Sequence, residues 1–160
     1  MTSSSGPGIS LMMEGISYMA GAELPGLIVN VMRGGPGLGN IAPGQSDIKL
    51  ACRGLGHGDT HAIVLAPSTP QEMLDLTAVA FGLAFGYRNP VIVLADGYLG
   101  QMTGKVRLPA RLVQPGVPAW CTAGDAAHRR NVITSIFLEE SELEAANRAL
   151  LGTYVRIGDA

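Results

Sequence analysis

The chain has 160 residues, of which 47% are hydrophobic and only 15% are charged, and its formal net charge is −2 at pH 7. Its basic clusters are small, so we expect no nucleic-acid partner. No apolar run reaches the roughly 20 residues that span a bilayer, so we expect no membrane partner. The sequence does not begin with a basic segment followed by an apolar one, as a signal peptide does, so we expect a cytoplasmic location. The charged share lies below the roughly 25% of ordinary domains, and this leaves two interpretations open: other chains cover much of the surface, or a well-buried sheet fills a compact α/β domain.

The first third of the chain predicts two helices and one strand, separated by loops rich in glycine. Residues 1–8 form a polar loop, and 9–23 predict a helix because apolar side chains recur there at helical spacing. A continuous apolar run at 26–31 predicts a buried strand. After a glycine-rich loop, 46–54 predict a short helix with Ser46 as its N-cap.

The middle of the chain alternates strand, helix and strand. The run HAIVLAP at 61–67 predicts a strand, and 68–88 predict a long helix. That helix begins with Thr69 as candidate N-cap and Glu72 in its first turn, which is a strong helix start. The run VIVLAD at 91–96 predicts a third strand.

Alternating apolar strands and helices predict an α/β fold, with a mostly parallel sheet between helical layers in a three-layer α/β/α arrangement. We divide the chain into an α/β module at 1–104, an extended proline-rich arm at 105–138 and a C-terminal segment at 139–160, whose helix covers 140–157. Only three strands are evident, so one sheet edge lacks a neighbour. The sequence therefore looks N-terminally truncated, with a strand expected before TSSSGPG.

The loop VMRGGPGLGNIAPGQSD at 31–47 follows the first predicted strand, at the sheet edge where α/β proteins bind ligands. It does not match GxGxxG, since counting from Gly35 and Gly37 places Asn40 where the third glycine belongs, and it has no P-loop lysine. These failures oppose a nicotinamide or nucleotide site. Arg33 opens the loop, and its guanidinium can grip a carboxylate with two hydrogen bonds; the alternative is that it caps carbonyls or pairs with Asp47.

Other polar residues carry weaker predictions. The motif GHGD at 56–59 is usually structural, and His57 as an acid or base is the lesser alternative. Asp96 is either a site residue or a turn former. No histidine has partners at metal-ligand spacing, so we predict no metal bound by this chain alone. Cys52 and Cys121 are far apart and have no CxxC neighbour, which favours reduced thiols; a disulfide between them is the lesser alternative.

Several ordered motifs together resemble one family, the α (pyrimidine-binding) subunits of 2-oxoacid:ferredoxin oxidoreductases. They are TSSSGPGISLMMEGISYMAGAELP, IVNVMRGGPGLGNIAPGQSD, GHGD, IVLAPST followed after one residue by QEMLDLT, YRNPVIVLADGYLGQM and RRNVITSIFLEESELEAAN. The resemblance covers nearly the whole chain. The motif GGPGLGNIAP resembles that of the branched-chain type, which acts on 2-oxoisovalerate (3-methyl-2-oxobutanoate).

This resemblance implies a thiamine diphosphate enzyme that decarboxylates a 2-oxoacid, passes electrons to ferredoxin and gives the acyl group to coenzyme A. It implies that a β subunit holds the diphosphate and its Mg²⁺. It also implies that γ and ferredoxin-like δ subunits join the assembly and that 4Fe–4S clusters lie in the partner subunits. The resulting protomers are expected to pair as a homodimer. Thr2, Ser3 and Arg33 then correspond to substrate-binding positions. The positions corresponding to the cofactor-facing wall are Ser4, Gly34, Gly35 and Gly37.

The sequence departs from the family at one functional position. Members carry an upstream glutamate that hydrogen-bonds the aminopyrimidine, and neither Glu14 nor Glu23 corresponds to it. We therefore assign no catalytic residue to this chain and expect it to be inactive alone. The alternative is a non-catalytic assembly or binding module that retains the fold.

Overall fold

A computed structural model describes residues 1–110 and 116–160. Its centre is a parallel sheet in the order β1-β2-β4-β3. The strands are β1 (Thr2–Ser4), β2 (Gly26–Met32), β3 (Ile63–Leu65) and β4 (Pro90–Asp96). The three predicted strands and their parallel arrangement are confirmed, although β3 is shorter than predicted.

The predicted loop at 1–8 is wrong at its start, because Thr2–Ser4 pair with β2 in parallel, with Thr2 beside Ile28 and Ser4 beside Asn30. A polar three-residue strand gives no apolar pattern from which to predict it. It is stable here because the partner strand supplies the hydrogen bonds and because an edge position tolerates polar side chains.

Five helices accompany the sheet in the described residues: α1 (Pro7–Gly21), α2 (Ile48–Arg53), α3 (Pro70–Tyr87), α4 (Gly97–Gln101) and α5 (Glu140–Gly158). On one face of the sheet, Ile9 and Ile16 of α1 pack with Ile28 and Ile92. On the other face, Ala80 and Ala84 of α3 pack with Val91 and Val93. The predicted three-layer α/β/α arrangement is confirmed. Helix α4 was not predicted; five residues are too few to show helical periodicity.

The two predicted N-caps have different outcomes. Thr69 is confirmed, because its Oγ1 accepts a hydrogen bond from the Glu72 N–H at 3.1 Å. The Glu72 carboxylate in turn accepts from the Ser68 hydroxyl and N–H, which lower its pKa. Ser46 is wrong as the cap of α2. That position is Asp47, which makes no side-chain capping bond, while the Ser46 hydroxyl donates to the Arg33 carbonyl at 2.9 Å.

The predicted proline-rich arm contacts the module through Gln71 and through Arg88, among other residues. The Gln71 side chain donates to the Arg107 carbonyl at 3.2 Å and accepts from the Arg107 N–H at 2.6 Å. Further along, the Trp120 ring lies 4.8 Å below the Arg88 guanidinium. Residues 111–115 of the arm lie outside the described residues, and the division at 104 and 138 stays a prediction.

Arg88 joins the module to the arm. Its Nε donates to the Glu23 carbonyl at 2.9 Å, and its Nη1 pairs with the Glu23 carboxylate at 3.0 Å. We expect Arg88→Ala to lower the free energy of unfolding by about 1–2 kcal/mol, because the cation–π contact and the hydrogen bonds are lost together. Trp120 is the only tryptophan of the chain, so its fluorescence during denaturant unfolding reports this change.

The matched control for Arg88→Ala is Arg148→Ala on α5. Arg148 forms a well-exposed pair with Glu144, spaced i,i+4, so its loss should cost about 0.5 kcal/mol or less. The anchoring role of Arg88 is wrong if both variants unfold at the same denaturant concentration with unchanged Trp120 emission.

Candidate functional site at the carboxyl edge of the sheet

The carboxyl ends of the parallel strands bring four chain segments to one edge. These are Ser5 and Gly6 after β1, the loop at 33–47 after β2, and the turns that follow β3 and β4. Ligands of open α/β sheets bind at this edge. Arg33 and the glycine loop therefore lie at the carboxyl end of β2, at the sheet edge where the sequence places them.

Arg33 is half-buried, and its side chain makes hydrogen bonds that stabilise the glycine loop. Its Nε donates to the Ser5 hydroxyl at 3.0 Å, and its Nη1 donates to the carbonyls of Leu38 and Asn40, the latter at 2.9 Å. Of the two non-ligand roles considered for this residue, the structure contains carbonyl capping. The pairing with Asp47 is not among the ion pairs of the described residues, because Asp47 accepts instead from the Asn30 side-chain amide at 3.2 Å.

A cleft of about 470 Å³, which we call the Arg33 cleft, opens between the start of α1 and the glycine loop. Gly6 and Pro7 border it on one side, Gly35 and Gly37 on the other, and Asp47 also lines it. Arg33 Nη2 makes no hydrogen bond to any described residue and lies beside Gly6. The N-terminus of α1 adds a positive partial charge. The cleft therefore favours an anion at its Arg33 end.

The four glycines of the loop's tip differ in their environment. A Cβ at Gly34 would lie 2.5 Å from Asn40 Oδ1, and one at Gly39 would lie 1.8 Å from the Gly34 carbonyl oxygen. Gly35 and Gly37 have no neighbouring atom within 4 Å of that position. Gly34 and Gly39 thus let the loop fold on itself, whereas Gly35 and Gly37 leave a bare backbone wall.

The serine-rich start of the chain is divided between different environments. Thr2 and Ser3 are exposed in β1, and neither lines the Arg33 cleft. The Ser4 hydroxyl lies under the start of α1, since a Cβ at Gly8 would come within 2.0 Å of it. Ser5, the last serine of this run and not one of the assigned site positions, is the serine that contacts Arg33.

Asn30 is a second residue that sequence reasoning missed. It is only 1% exposed, and its amide donates to Asp47 while its Oδ1 has no partner among the described residues. An unpartnered buried oxygen costs about 1–3 kcal/mol. Asn89 Oδ1, away from this edge, has the same property, so the feature does not by itself mark a site. The available signal was one asparagine in the otherwise apolar strand GLIVNVM.

A second cavity of about 340 Å³ lies across the loop from the Arg33 cleft. The loop after β2 leads to α2 on one face and the turn after β3 leads to α3 on the other, so the cavity lies at the topological switch point around the end of β4. We call it the switch-point crevice. Asp96 lines it and also caps α4, accepting from the Leu99 N–H at 2.9 Å and from Gln45 at 3.3 Å. The Leu99 N–H is the main cause of the lowered Asp96 pKa.

The GHGD motif lies at the opposite edge, before β3. His57 Nδ1 is 3.3 Å from the Ser17 hydroxyl, and the Asp59 carboxylate is 3.6 Å from His61 Nε2. The backbone N–H of His61 donates to the Tyr154 hydroxyl of α5. Burial raises the pKa of that phenol. These contacts fit the structural interpretation of the motif, since none of them reaches Arg33.

Residues 1–110 and 116–160 contain no group of three or more His, Cys, Asp or Glu side chains arranged to hold a metal ion. Within the same residues, Cys52 is exposed and Cys121 is partly buried, and both are free thiols. No helix among them has the length and apolar character that crossing a membrane requires.

Comparison with known proteins gives consistent matches. The family described as pyruvate flavodoxin/ferredoxin oxidoreductase, thiamine diphosphate-binding, matches residues 1–150. The ketoisovalerate oxidoreductase subunit VorB of Methanothermobacter thermautotrophicus is 54% identical over 98% of this chain. The 2-oxoglutarate synthase subunit KorA of Archaeoglobus fulgidus is 49% identical over 68% of it.

A solved structure has the same architecture. The 2-oxoglutarate:ferredoxin oxidoreductase from Magnetococcus marinus, with 2-oxoglutarate, coenzyme A and succinyl-CoA bound, superposes with a TM-score of 0.77 over 99% of this chain, at 26% identity. This chain covers 32% of that chain, 45% of VorB and 32% of KorA. It therefore spans less than half the length of the relatives it matches.

Proposed function

We propose, on the premise that this chain belongs to the thiamine diphosphate-binding family of pyruvate flavodoxin/ferredoxin oxidoreductases, that it forms one wall of a 2-oxoacid oxidoreductase site. The reaction is the oxidative decarboxylation of a branched-chain 2-oxoacid to an acyl-CoA, with electrons passed to ferredoxin. The resemblance drawn from the sequence motifs is confirmed at the level of the family. The 54% identity to the ketoisovalerate subunit supports the choice of a branched-chain substrate.

The observation that carries this proposal is the position of Arg33 in its cleft. The free Nη2 beside Gly6 and the positive end of α1 converge on one point, where a substrate carboxylate gains a charge-assisted hydrogen bond. Arg33 can offer a second donor by releasing the carbonyl of Leu38 or Asn40. In this role Arg33 binds and orients the 2-oxoacid. Thr2 and Ser3, the other substrate-binding positions implied by the resemblance, do not line the Arg33 cleft, so the proposal rests on Arg33.

The cleft also fits one edge of thiamine diphosphate. A flat heterocycle needs a wall free of side chains, and Gly35 and Gly37 provide open backbone at the cleft surface. Ser4 and Gly34 complete the cofactor-facing set proposed from the sequence. When bound, the cofactor supplies a nucleophilic carbon and an electron sink for decarboxylation.

In this proposal, other chains bind the rest of the cofactor and carry the electrons to ferredoxin. Among the described residues that line the cleft, Arg33 alone is basic, which fits one carboxylate but not a diphosphate as well. A β subunit would hold the diphosphate and Mg²⁺, partner subunits including the ferredoxin-like δ would carry 4Fe–4S clusters, and γ would complete the assembly. Such protomers pair as a homodimer. Exposed apolar side chains beside the cleft, Leu11, Leu38 and Ile41, suit coverage by a partner.

One observation favours a second candidate function. Arg33 already uses Nε and Nη1 to hold its own loop, as expected of a non-catalytic assembly module that keeps the fold. Such a module would dock the same partner chains through the apolar rim but bind no 2-oxoacid.

An activity assay on the assembled complex separates the two candidates. We expect thiamine- and CoA-dependent reduction of ferredoxin with 2-oxoisovalerate, at higher kcat/KM than with pyruvate or 2-oxoglutarate, and no activity from this chain alone. If the complex binds its partners but reduces ferredoxin with none of the three acids, the assembly module is correct.

A further inference from the structure

Helix α3 is apolar on the side that points away from the sheet as well as on the side that packs against it. Its inner side contacts β4 through Ala80 and Ala84. Because successive helical residues are rotated by about 100°, five exposed positions lie roughly opposite these alanines. They are Ala78, Val79, Gly82, Phe85 and Gly86, and we call them the outer face of α3. A surface helix normally has polar side chains on its outer side, whereas a helix that is apolar all round is buried.

The outer face is uncharged and contains open gaps. The sequence between Asp75 and Arg88 has no charged residue. A Cβ added at Gly82 or at Gly86 would meet no described atom within 4 Å outside the helix's own backbone. The two glycines therefore leave space beside the exposed side chain of Val79, and a second helix can approach closely there.

The described part of the arm contacts α3 near both of its ends. At the start of the helix, the Gln71 side chain binds the Arg107 backbone. Near the end, the Trp120 ring lies 6.2 Å from the Phe85 ring. The interval between Gln71 and Phe85 is about 20 Å, or roughly four helical turns. A helix of similar length fits this interval.

The exposed area of the chain is large enough for a stable interface. The chain exposes 10446 Å². A compact monomer of its 16.6 kDa mass would expose only about 7,600 Å², so the excess is roughly 2,800 Å². Each partner in a standard protein–protein interface contributes about 800 Å². The extended arm accounts for part of the excess, and the remaining area suffices for a dimer contact.

The outer face is complementary to itself under a two-fold rotation. An axis beside Gly82, at right angles to the helix, places two copies of α3 antiparallel. With a rotation of about 100° and a rise of about 1.5 Å per residue, Val79 of one copy then lies opposite Gly86 of the other. Phe85 lies opposite Ala78 in the same way. Each large side chain thus meets a small one without bringing charges together, and a two-fold contact closes as a dimer.

We propose that the outer face of α3 binds the same face of a second copy of this chain, in an antiparallel two-fold contact centred on Gly82. The assignment rests on the proposed function only in that protomers are expected to pair, and it identifies the surface that pairs them. The apolar rim assigned to another partner includes Leu11 of α1, which lies on the opposite side of the sheet from α3. Both contacts can therefore form in one assembly.

Analytical ultracentrifugation of the full chain tests the pairing without substrate or partner, so its result is independent of the activity assay. We expect the wild-type chain to sediment as a dimer. Val79→Glu should raise the Kd of the dimer about a hundredfold or more, because it brings a carboxylate from each copy into an apolar contact. The matched control is Val155→Glu on α5, where the wild-type side chain is 56% exposed against 49% for Val79. This control should change the Kd by no more than about twofold.

Cysteine cross-linking tests the register of the contact. In a background of Cys52→Ser and Cys121→Ser, Val79→Cys combined with Gly86→Cys should form a disulfide between copies. The two positions are about 10 Å apart within one helix, which is too far for a bridge inside one chain. Val79→Cys alone is the control and should form no disulfide, because the axis separates the two copies of this position by about 9 Å along the helix.

Three results would overturn the proposal. They are a wild-type chain that is monomeric at its highest soluble concentration, equal dimerisation of Val79→Glu and Val155→Glu, and a double-cysteine variant that does not cross-link. Far-UV circular dichroism checks that each variant is folded. If the chain is monomeric and Val79→Glu instead abolishes binding of a β subunit, the outer face belongs to that partner and the pairing is wrong.

Discussion

Replacing Arg33 with alanine should raise the KM of the assembled complex for its 2-oxoacid about ten- to a hundredfold. A charge-assisted hydrogen bond to a carboxylate contributes roughly 1.5–3 kcal/mol, and each 1.4 kcal/mol corresponds to a factor of ten. Arg33→Lys should recover only part of the loss, because an ammonium group cannot present two parallel donors. Steady-state kinetics with 2-oxoisovalerate measures both variants.

The loop-holding contacts of Arg33 require a control that isolates the carboxylate. Arg33→Ala also removes the bonds to Ser5 and to the Asn40 carbonyl, so a disordered loop alone could weaken binding. Ser5→Ala removes one of these loop contacts and leaves the guanidinium in place. A competitive inhibitor and its carboxamide analogue complete the test. If Arg33→Ala weakens the acid and the amide equally, Arg33 holds the loop and does not bind the carboxylate.

The sequence predicted the parts of the fold that depend on local pattern. Helix α3 begins where Thr69 and Glu72 indicate, and β4 is a continuous apolar run buried on both faces. Strand β1 and helix α4 lack any such pattern, because TSS is polar and GYLGQ is shorter than two helical turns. Both are stable because of what lies beside them: β2 pairs with the first, and the Asp96 carboxylate caps the second.

For the candidate site too, the sequence predicted only the features that depend on local pattern. Arg33 could be identified because a charged residue ends an apolar strand and opens a glycine loop. Its contact with Ser5 spans 28 positions, and the contact between Asn30 and Asp47 spans 17, so neither follows from local spacing. The glycines illustrate the same limit. The sequence selects Gly34, Gly35 and Gly37 as one wall, but only the folded loop separates the open positions from those that its own turn requires.

Replacing Gly39 with alanine should abolish the conformation of the glycine loop. Gly39 has φ +61°, where an L-residue is strained by about 1–2 kcal/mol. The new Cβ would also lie 1.8 Å from the Gly34 carbonyl oxygen, a rigid backbone atom that accepts the Asn40 N–H at 3.1 Å. Since the Asn40 carbonyl binds Arg33, the loop and the guanidinium should be displaced together. We expect at least a tenfold loss of kcat/KM for the 2-oxoacid.

Gly35→Ala is the matched control in the same loop. Gly35 does not have a positive φ, and nothing lies within 4 Å of its Cβ position, so alanine leaves the unliganded loop intact. Hydrogen exchange should therefore show faster exchange at the Asn40 amide in Gly39→Ala and wild-type exchange in Gly35→Ala. Both variants should keep a melting temperature close to that of the wild type, because the exposed loop lies outside the two packed faces of the sheet. A Gly39→Ala variant with wild-type exchange at Asn40 and wild-type kcat/KM would show that the loop's folded conformation is not what positions Arg33.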